Sequence, residues 1–303
     1  MMRKKPMLAQ NVGDYSRIKD DDWPLYVQPK LDGVRCLIQW EFSQDADVWD
    51  KSDFPGKVVA YSRTGKEWKN IDHILKELIP FFEEHPNHIL DGELYNHDLK
   101  DDFEKIISLV RKTKPTDEDR LESELKVQFH CYDTIMEHWN FEDRMLFINE
   151  NFGYYGKFDS DVNMIVPTPS DLVYNTEEAE ASHEDFLELG YEGSILRKNE
   201  RYECKRSWTL MKVKDFSDAE ATIIGYEEGK GKREDHLGKF IMQDDDGNEF
   251  GCPPGKGYNY KDMKNMLENI HDYIGERATF TYFQRTKAGS YRHPLFKAIR
   301  NYE

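Results

Sequence analysis

The sequence predicts an α+β protein in two parts, a larger mixed domain over residues 1–216 and a small β-barrel over residues 217–303. The first part contains three short apolar or alternating runs, closed by turn residues and typical of strands, at 25–40, 57–63 and 127–135. It also contains three runs with apolar side chains at helical spacing, at 71–84, 103–111 and 141–151. After Phe216 the chain changes to about five short strands with glycine-rich connections, a pattern that fits a small barrel.

The composition is that of a folded protein rather than a disordered or membrane-spanning one. Of its 303 residues, 38% are hydrophobic and 13% aromatic, which is enough to build a core. Its apolar runs are far shorter than the roughly 20 residues of a membrane helix, and no apolar signal segment follows the first residues. The four cysteines form no C-x-x-C pair, which argues against a zinc ribbon or a disulfide framework. We expect a cytoplasmic monomer without membrane contact.

The charge of the chain is strongly acidic, with a formal net charge of -17. This lowers the expectation of nucleic-acid binding, because phosphates are bound by Lys and Arg. The acid lies mainly in the first part, since residues 217–303 carry 13 Lys and Arg against 15 Asp and Glu. Local basic clusters at 111–114, 198–206 and 230–239 are candidates for a positive groove, although scattered solubilising charge is the alternative.

The motif with the strongest chemical content is Lys-Leu-Asp-Gly-Val-Arg at residues 30–35, between two strand-like runs. An ordinary hairpin is one interpretation, because Asp-Gly is a common tight turn. The other is a covalent nucleotidyl-transfer site, in which the Lys30 amine attacks phosphorus once nearby positive charge or desolvation has favoured its neutral form. Arg35 would then lie beside the lysine and bind a phosphate in bidentate fashion, while Asp32 places a metal ion or orients the amine.

Further segments supply groups that such chemistry needs. Glu93, in Leu-Asp-Gly-Glu-Leu, ends an apolar run and suits ribose hydroxyls, with a second hairpin as the alternative. Tyr132 ends a strand and either stacks on a purine or belongs to the core. Glu192 precedes an apolar strand, where a carboxylate is costly unless it holds a cation or a positive side chain. Lys212 and Lys214 face the same way along a strand, either as a solvated edge or as a clamp on an α-phosphate.

Taken in order, these segments resemble the nucleotidyltransferase motifs of ATP-dependent DNA ligases, and the barrel resembles the OB domain of those enzymes. The matching segments are residues 30–35, 62–65, 90–94, 129–133, 192–193 and 212–214. The resemblance covers nearly the whole chain, and the length of the chain is similar to that of the compact bacteriophage and viral enzymes. It implies an ATP-grasp-like nucleotidyltransferase domain over 1–216 and an OB-fold domain over 217–303.

The resemblance also implies an activity and its cofactors. Lys30 would attack the α-phosphate of ATP and form a lysyl-AMP, AMP would pass to the 5′-phosphate of a nick in duplex DNA, and the 3′-hydroxyl would expel it. Mg²⁺ or Mn²⁺ would bind through Asp32, Glu93 and Glu192. Catalytic roles would fall to Lys30, Arg35, Lys212 and Lys214. The nucleotide would contact Gln28, Pro29, Lys30, Arg35, Arg63, Glu93, Tyr132, Lys212, Lys214, Arg292 and Arg300.

One departure from the family pattern concerns the end of the chain. Many cellular relatives end the last motif with Arg-x-Asp-Lys, whereas here Arg300 is followed by Asn-Tyr-Glu. Lys297 or Arg292 is the candidate to orient the leaving pyrophosphate instead. Three other functions stay open, namely an RNA ligase, an mRNA-capping guanylyltransferase, and a DNA-end binding module that has kept the fold and lost the chemistry.

Overall fold

The computed structural model describes residues 4–13, 15–42, 56–100, 102–153, 156–158, 164–213, 217–255, 257–282, 285 and 289–300. The chain divides into two compact units, residues 1–214 and 215–303. The predicted boundary after Phe216 falls on residues outside the described ranges.

The strands in chain order are β1 (Leu8–Asn11), β2 (Leu25–Pro29), β3 (Val34–Phe42), β4 (Gly56–Tyr61), β5 (Ile89–Tyr95), β6 (Gln128–Thr134), β7 (Ile165–Pro167), β8 (Asp171–Val173), β9 (Ser194–Arg197), β10 (Arg206–Val213), β11 (Ser217–Glu228), β12 (Leu237–Gln243), β13 (Glu249–Cys252), β14 (Arg277–Tyr282) and β15 (Leu295–Ile299). The helices are α1 (Asp72–Glu77), α2 (Ile79–Glu84), α3 (Phe103–Val110), α4 (Asp117–Lys126), α5 (Phe141–Phe152), α6 (Thr176–Glu188) and α7 (Tyr260–Glu268). Among the described residues, no helix is long and apolar enough to cross a membrane.

The described residues of the first unit form two five-stranded sheets. The first sheet has the order β1-β10-β9-β2-β8 and the second has the order β4-β3-β5-β6-β7. β2 and β3 were predicted on the two sides of one Asp-Gly turn, and the hairpin interpretation of that turn is wrong, because the two strands belong to different sheets. The connection at residues 30–33 therefore passes from one sheet to the other.

The three helical runs predicted in the first unit form helices, the first of them with a break, whereas α4 and α6 lie outside those runs. The run at 71–84 is two helices, α1 and α2, because Pro80 lies in the first turn of α2 and a proline has no N–H to continue the first helix. Asn140 begins α5, since its side chain accepts a hydrogen bond from the backbone N–H of Asp143 at 2.9 Å. Phe81, Phe129 and other fully buried side chains of helices and strands fill the core against the second sheet.

The second unit is built on one antiparallel sheet with the order β13-β12-β11-β14-β15. The edges of this sheet meet, because the N–H of Phe296 donates to the carbonyl of Pro253 at 2.9 Å and the N–H of Gly255 donates to the carbonyl of Phe296 at 3.0 Å. Phe240 and Phe280 lie fully buried inside, and Met266 of α7 packs on them from one side. The second unit thus has the short, joined strands of a small barrel.

Candidate active site

One cavity of about 1160 Å³ in the first unit is lined by strands of both sheets and the connection between β2 and β3. The predicted nucleotide-binding residues that line it are Gln28, Pro29, Lys30, Arg35, Arg63, Glu93, Tyr132 and Lys212. These residues come from six separate segments of the chain, so the fold brings together most of the side chains that the motifs single out.

The Lys30 amine and the Glu192 carboxylate form an ion pair at this cavity, with side chains that are 18% and 8% exposed. Backbone pairing fixes their positions. The N–H of Lys30 donates to the carbonyl of Gly193 at 2.9 Å, and the N–H of Glu192 donates to the carbonyl of Lys30 at 3.0 Å. Gly193 has a φ of 139°, a conformation that favours glycine. The buried carboxylate before β9 therefore holds a positive side chain, as the sequence indicates.

Gly33 lies where the connection from Lys30 passes closely over β5. A Cβ atom at this position would meet the carbonyl oxygen of Leu94 at 2.5 Å and the Cγ atom of Glu93 at 2.6 Å. Only glycine allows this approach, so the motif needs its glycine for packing against the neighbouring strand rather than for a hairpin turn.

Arg35 is held by a buried carboxylate. Its Nε and Nη2 atoms donate to the two carboxylate oxygens of Asp91 at 2.9 and 2.5 Å, and the Tyr202 hydroxyl donates to the same carboxylate at 2.6 Å. Burial acts to lower the pKa of Arg35, but Asp91 and the nearby tyrosines hold that pKa well above its usual value. The guanidinium is therefore a fixed positive charge, with its remaining nitrogen available to a phosphate.

Glu93 and Tyr132 face each other across neighbouring strands. The Tyr132 hydroxyl lies 3.4 Å from a Glu93 carboxylate oxygen. Burial raises the pKa of Glu93 to about 8, although Arg35 and Lys30 act to lower it, and burial also raises the pKa of Tyr132 well above its usual value. Tyr132 is half-buried and lines the cavity, so its ring is accessible to a ligand as well as packed against the protein.

Behind Tyr132 lies a buried network of ion pairs that the sequence did not reveal. Asp133 is fully buried and accepts from two arginines, at 2.6 Å from Arg144 Nε and 2.6 Å from Arg197 Nη1. Arg197 also donates through Nε to the Gln28 amide oxygen at 2.6 Å, and its guanidinium lies 5.6 Å from the Tyr132 ring centroid. The only available signal was an arginine and an aspartate at the ends of two apolar runs, and nothing in the sequence pairs them.

The structure does not gather every predicted residue. Asp32 is half-buried in the connection after Lys30, and Lys214 and residues 301–303 lie outside the described ranges. In the second unit, Arg300 pairs with Glu220, and Lys297 pairs with Asp218 at 2.6 Å, so both cations have acidic partners there. Arg292 is half-buried after Tyr291. Within the part of the chain that is described, no three His, Cys, Asp or Glu side chains form a preassembled metal site.

A two-sheet first unit with a lysine in the cavity, followed by a five-stranded barrel, defines a nucleotidyltransferase domain joined to an OB-fold domain. The family model of the ATP dependent DNA ligase domain matches residues 6–214, and that of the DNA ligase OB-like domain matches residues 228–300. The chain belongs to the ATP-dependent DNA ligase family. This confirms the resemblance found in the motifs and the predicted α+β fold.

Relatives and solved structures agree with this assignment. The chain is 24% identical to the DNA ligase of Enterobacteria phage T4, over 89% of this chain and 62% of that one, and 28% identical to a DNA ligase of African swine fever virus, over 74% and 50%. It therefore spans about half to two thirds of the length of these relatives. A Lig E DNA ligase structure matches 99% of this chain and 100% of its own at 23% identity and a TM-score of 0.74. The bacteriophage T7 ligase in complex with ATP matches 98% of both chains at 17% identity and a TM-score of 0.54. These structures show the same fold.

Proposed function

We propose that the protein is a DNA ligase that joins a 3′-hydroxyl and a 5′-phosphate at nicks in duplex DNA. In the first step the Lys30 nitrogen bonds to the α-phosphorus of ATP, the bond to pyrophosphate breaks, and a lysyl-AMP forms. The DNA 5′-phosphate then attacks the α-phosphorus and displaces Lys30. Attack by the 3′-hydroxyl on the activated 5′-phosphate finally closes the backbone and releases AMP.

The observation that carries this proposal is the pairing of Lys30 with Glu192 in a cavity that also contains Arg35, Tyr132 and Lys212. A lysine amine attacks phosphorus only after losing a proton, and Glu192 is in contact with that amine. The remaining groups can neutralise a phosphate and stack on a base. Positioning and charge neutralisation supply most of the rate in phosphoryl transfer, so the site contains the groups that the first step requires.

The surroundings of each side chain support the role that we propose for it. Arg35, fixed by Asp91, and Lys212, on β10, neutralise the α-phosphate. Tyr132 stacks on adenine, and Gln28, held by Arg197, faces the same cavity. Arg63 is exposed at the cavity and suits the phosphate of the nick.

The roles of Pro29 at the cavity, and of the residues beyond the cavity, follow from the family motifs. Lys214 acts with Lys212 on the α-phosphate, Pro29 lies beside the base, and Arg292 and Arg300 of the OB-fold domain contact ATP during the first step. Residues 1–216 form the adenylation domain and residues 217–303 the OB-fold domain. The protein acts as a monomer in the cytoplasm.

The carboxylates at the site fit a magnesium or manganese ion in chemistry, because these ions take oxygen ligands. Glu93 supports this assignment, since burial raises its pKa to about 8 and a cation beside it would stabilise the ionised form. Glu93 and Glu192 would hold the ion together with Asp32. The ion would neutralise charge on the phosphates and the leaving pyrophosphate.

The alternatives within the superfamily are an RNA ligase and a guanylyltransferase. Incubating the protein with α-labelled ATP or GTP and Mg²⁺ separates them from the proposal, with Lys30→Ala as the matched control. We expect an acid-labile labelled protein with ATP only, no label on Lys30→Ala, and sealing of a nicked DNA duplex in preference to nicked RNA. Labelling with GTP alone indicates capping, preferential sealing of RNA indicates an RNA ligase, and no label with either nucleotide indicates a binding module. Normal labelling of Lys30→Ala would overturn the assignment of the nucleophile.

A further inference from the structure

Trp208 is exposed in an unusual position on β10. Its residue is 47% exposed, although an indole is usually among the better buried side chains. β10 pairs with β1 on both sides of this position, with Ala9 opposite Ser207 and Gln10 opposite Met211. Residues 208–210 therefore bulge from the strand without a partner on β1, and Trp208 begins the bulge.

The bulge is held by hydrogen bonds that leave the indole outside. The N–H of Thr209 donates to the Ser207 hydroxyl at 3.0 Å, and the two hydroxyl groups lie 2.9 Å apart. The N–H of Lys198 donates to the carbonyl of Thr209 at 3.0 Å and ties the bulge to the end of β9. The backbone that carries Trp208 is therefore ordered before any ligand arrives, which lowers the entropic cost of a contact made there.

The position of Trp208 relates it to the cavity of Lys30. Arg206 and Trp208 are both exposed and flank the buried Ser207, so they lie on the same side of β10. Arg206 and Leu210 both line the cavity. The exposed indole thus lies beside the rim of the cavity, next to a guanidinium that already faces it.

The charge around Trp208 favours a polyanion. The segment before it, residues 198–206, contains four cations, Lys198, Arg201, Lys205 and Arg206, and two acids, Glu200 and Glu203. In the structure Lys198 pairs with Asp22 and Lys205 pairs with Glu203, so the positive charge left at this segment comes from Arg201 and Arg206, in a chain whose net charge is -17. A cationic surface interleaved with an exposed aromatic side chain is typical of contacts with nucleic acids, in which the cations bind phosphates and the ring packs on a sugar or a base.

We propose that Trp208 and Arg206 form a contact surface for the DNA duplex beside the nick. Arg206 binds a backbone phosphate, and the Trp208 ring packs against the adjoining sugar and base edge. This inference rests on the proposed function, because a nick whose 5′-phosphate enters the cavity brings the flanking duplex over its rim. The surface contributes to holding the DNA and takes no part in the attack of Lys30 on ATP.

The test compares Trp208→Ala and Trp208→Phe with Tyr174→Ala, a control that removes a 61% exposed aromatic side chain elsewhere in the first unit. Each protein is assayed for labelling of Lys30 by ATP and for binding to a nicked duplex with a 3′-dideoxy end, which cannot be sealed. We expect Trp208→Ala to be labelled normally and to bind the nick about five- to 150-fold more weakly. Trp208→Phe should recover part of this loss, and Tyr174→Ala should bind like the parent.

The outcomes separate this inference from the proposed function. If the parent is labelled and binds the nick, and Trp208→Ala binds it equally well, the surface is wrong and the ligase function stands. If Trp208→Ala loses labelling together with binding, the residue supports the fold and the inference is again wrong. If the parent itself is not labelled and does not bind the nick, the proposed function fails, and the inference fails with it.

Discussion

Arg197 offers a direct measure of what the buried network beneath the cavity contributes. Replacing it by methionine keeps a long side chain and removes two hydrogen bonds of 2.6 Å, one to Asp133 and one to Gln28. Breaking a buried ion pair by removing one partner costs about 3–5 kcal/mol. Asp133 keeps its pair with Arg144, so the loss of free energy of unfolding falls at the lower end, about 3 kcal/mol.

The assay exploits the distribution of tryptophan. All six tryptophans lie in residues 1–214, so tryptophan fluorescence during urea unfolding reports on the first unit alone. The matched control is Lys105→Met, which removes a partly exposed pair with Glu122 at 2.6 Å. An exposed pair contributes about 0–1 kcal/mol, so this control should unfold nearly like the parent. Equal unfolding of Arg197→Met and Lys105→Met would refute the reasoning.

A functional readout distinguishes positioning from stability. Arg197 contacts the Gln28 amide and lies against the Tyr132 ring. Its loss should therefore raise the KM for ATP in the labelling of Lys30 even at urea concentrations well below the unfolding transition. Arg197→Lys should restore part of the ion pair, and its KM for ATP should lie between those of Arg197→Met and the parent. A KM for ATP unchanged in Arg197→Met would restrict Arg197 to a structural role.

Three further outcomes follow from the described contacts. Burial lowers the pKa of His88 to about 4 from its usual value of 6.5. The neutral ring therefore stabilises the fold above pH 6.5, and this stabilisation, about 3 kcal/mol, is lost as the pH falls toward 4. Unfolding titrations should show the loss in the parent and not in His88→Phe. Tyr132→Ala should weaken ATP binding by about 1–3 kcal/mol, and an unchanged ATP dependence of labelling would make the tyrosine a core residue. Arg300→Ala should depress labelling of Lys30 far more than sealing of a nick that already carries AMP, and Lys297→Ala should share this behaviour if it orients pyrophosphate. Equal losses in both assays would instead assign these residues to DNA binding or to the stability of the barrel.

The sequence predicts the elements of this protein better than their arrangement. The strands on both sides of Gly33 form as the local pattern indicates, yet they enter different sheets, because β2 pairs with β8 and β9 from far along the chain. Likewise Gly92 lies inside β5 rather than in a turn. A Cβ atom there would meet the carbonyl of His130 at 2.4 Å and the Phe129 ring at 2.5 Å, so the glycine serves the close approach of β6. A local pattern contains no information on such distant partners.

The candidate site follows the same division. Lys30 stands out through the Lys-Leu-Asp-Gly-Val-Arg motif, and Tyr132 through a ring at a strand end that can stack on a purine. Glu192 stands out because a carboxylate before an apolar strand is costly unless it holds a cation or a positive side chain. Arg197 does not stand out, because its partner Asp133 is 64 residues away in sequence and each residue alone is an ordinary strand end. A motif that carries chemistry can therefore be recognised in the sequence, whereas the buried residues that hold its side chains in place are recognised only in the three-dimensional structure.

The pairing of Lys30 with Gly193 and Glu192 has a consequence for divergence and redesign. The spacing between the nucleophile and its carboxylate is set by main-chain hydrogen bonds, which nearly every amino acid can make. Neighbouring side chains can consequently vary without moving the reacting pair. A library that randomises positions of β2 and β9 whose side chains point away from the cavity should keep many active members. One that replaces Gly193, whose φ of 139° excludes most side chains, should keep few.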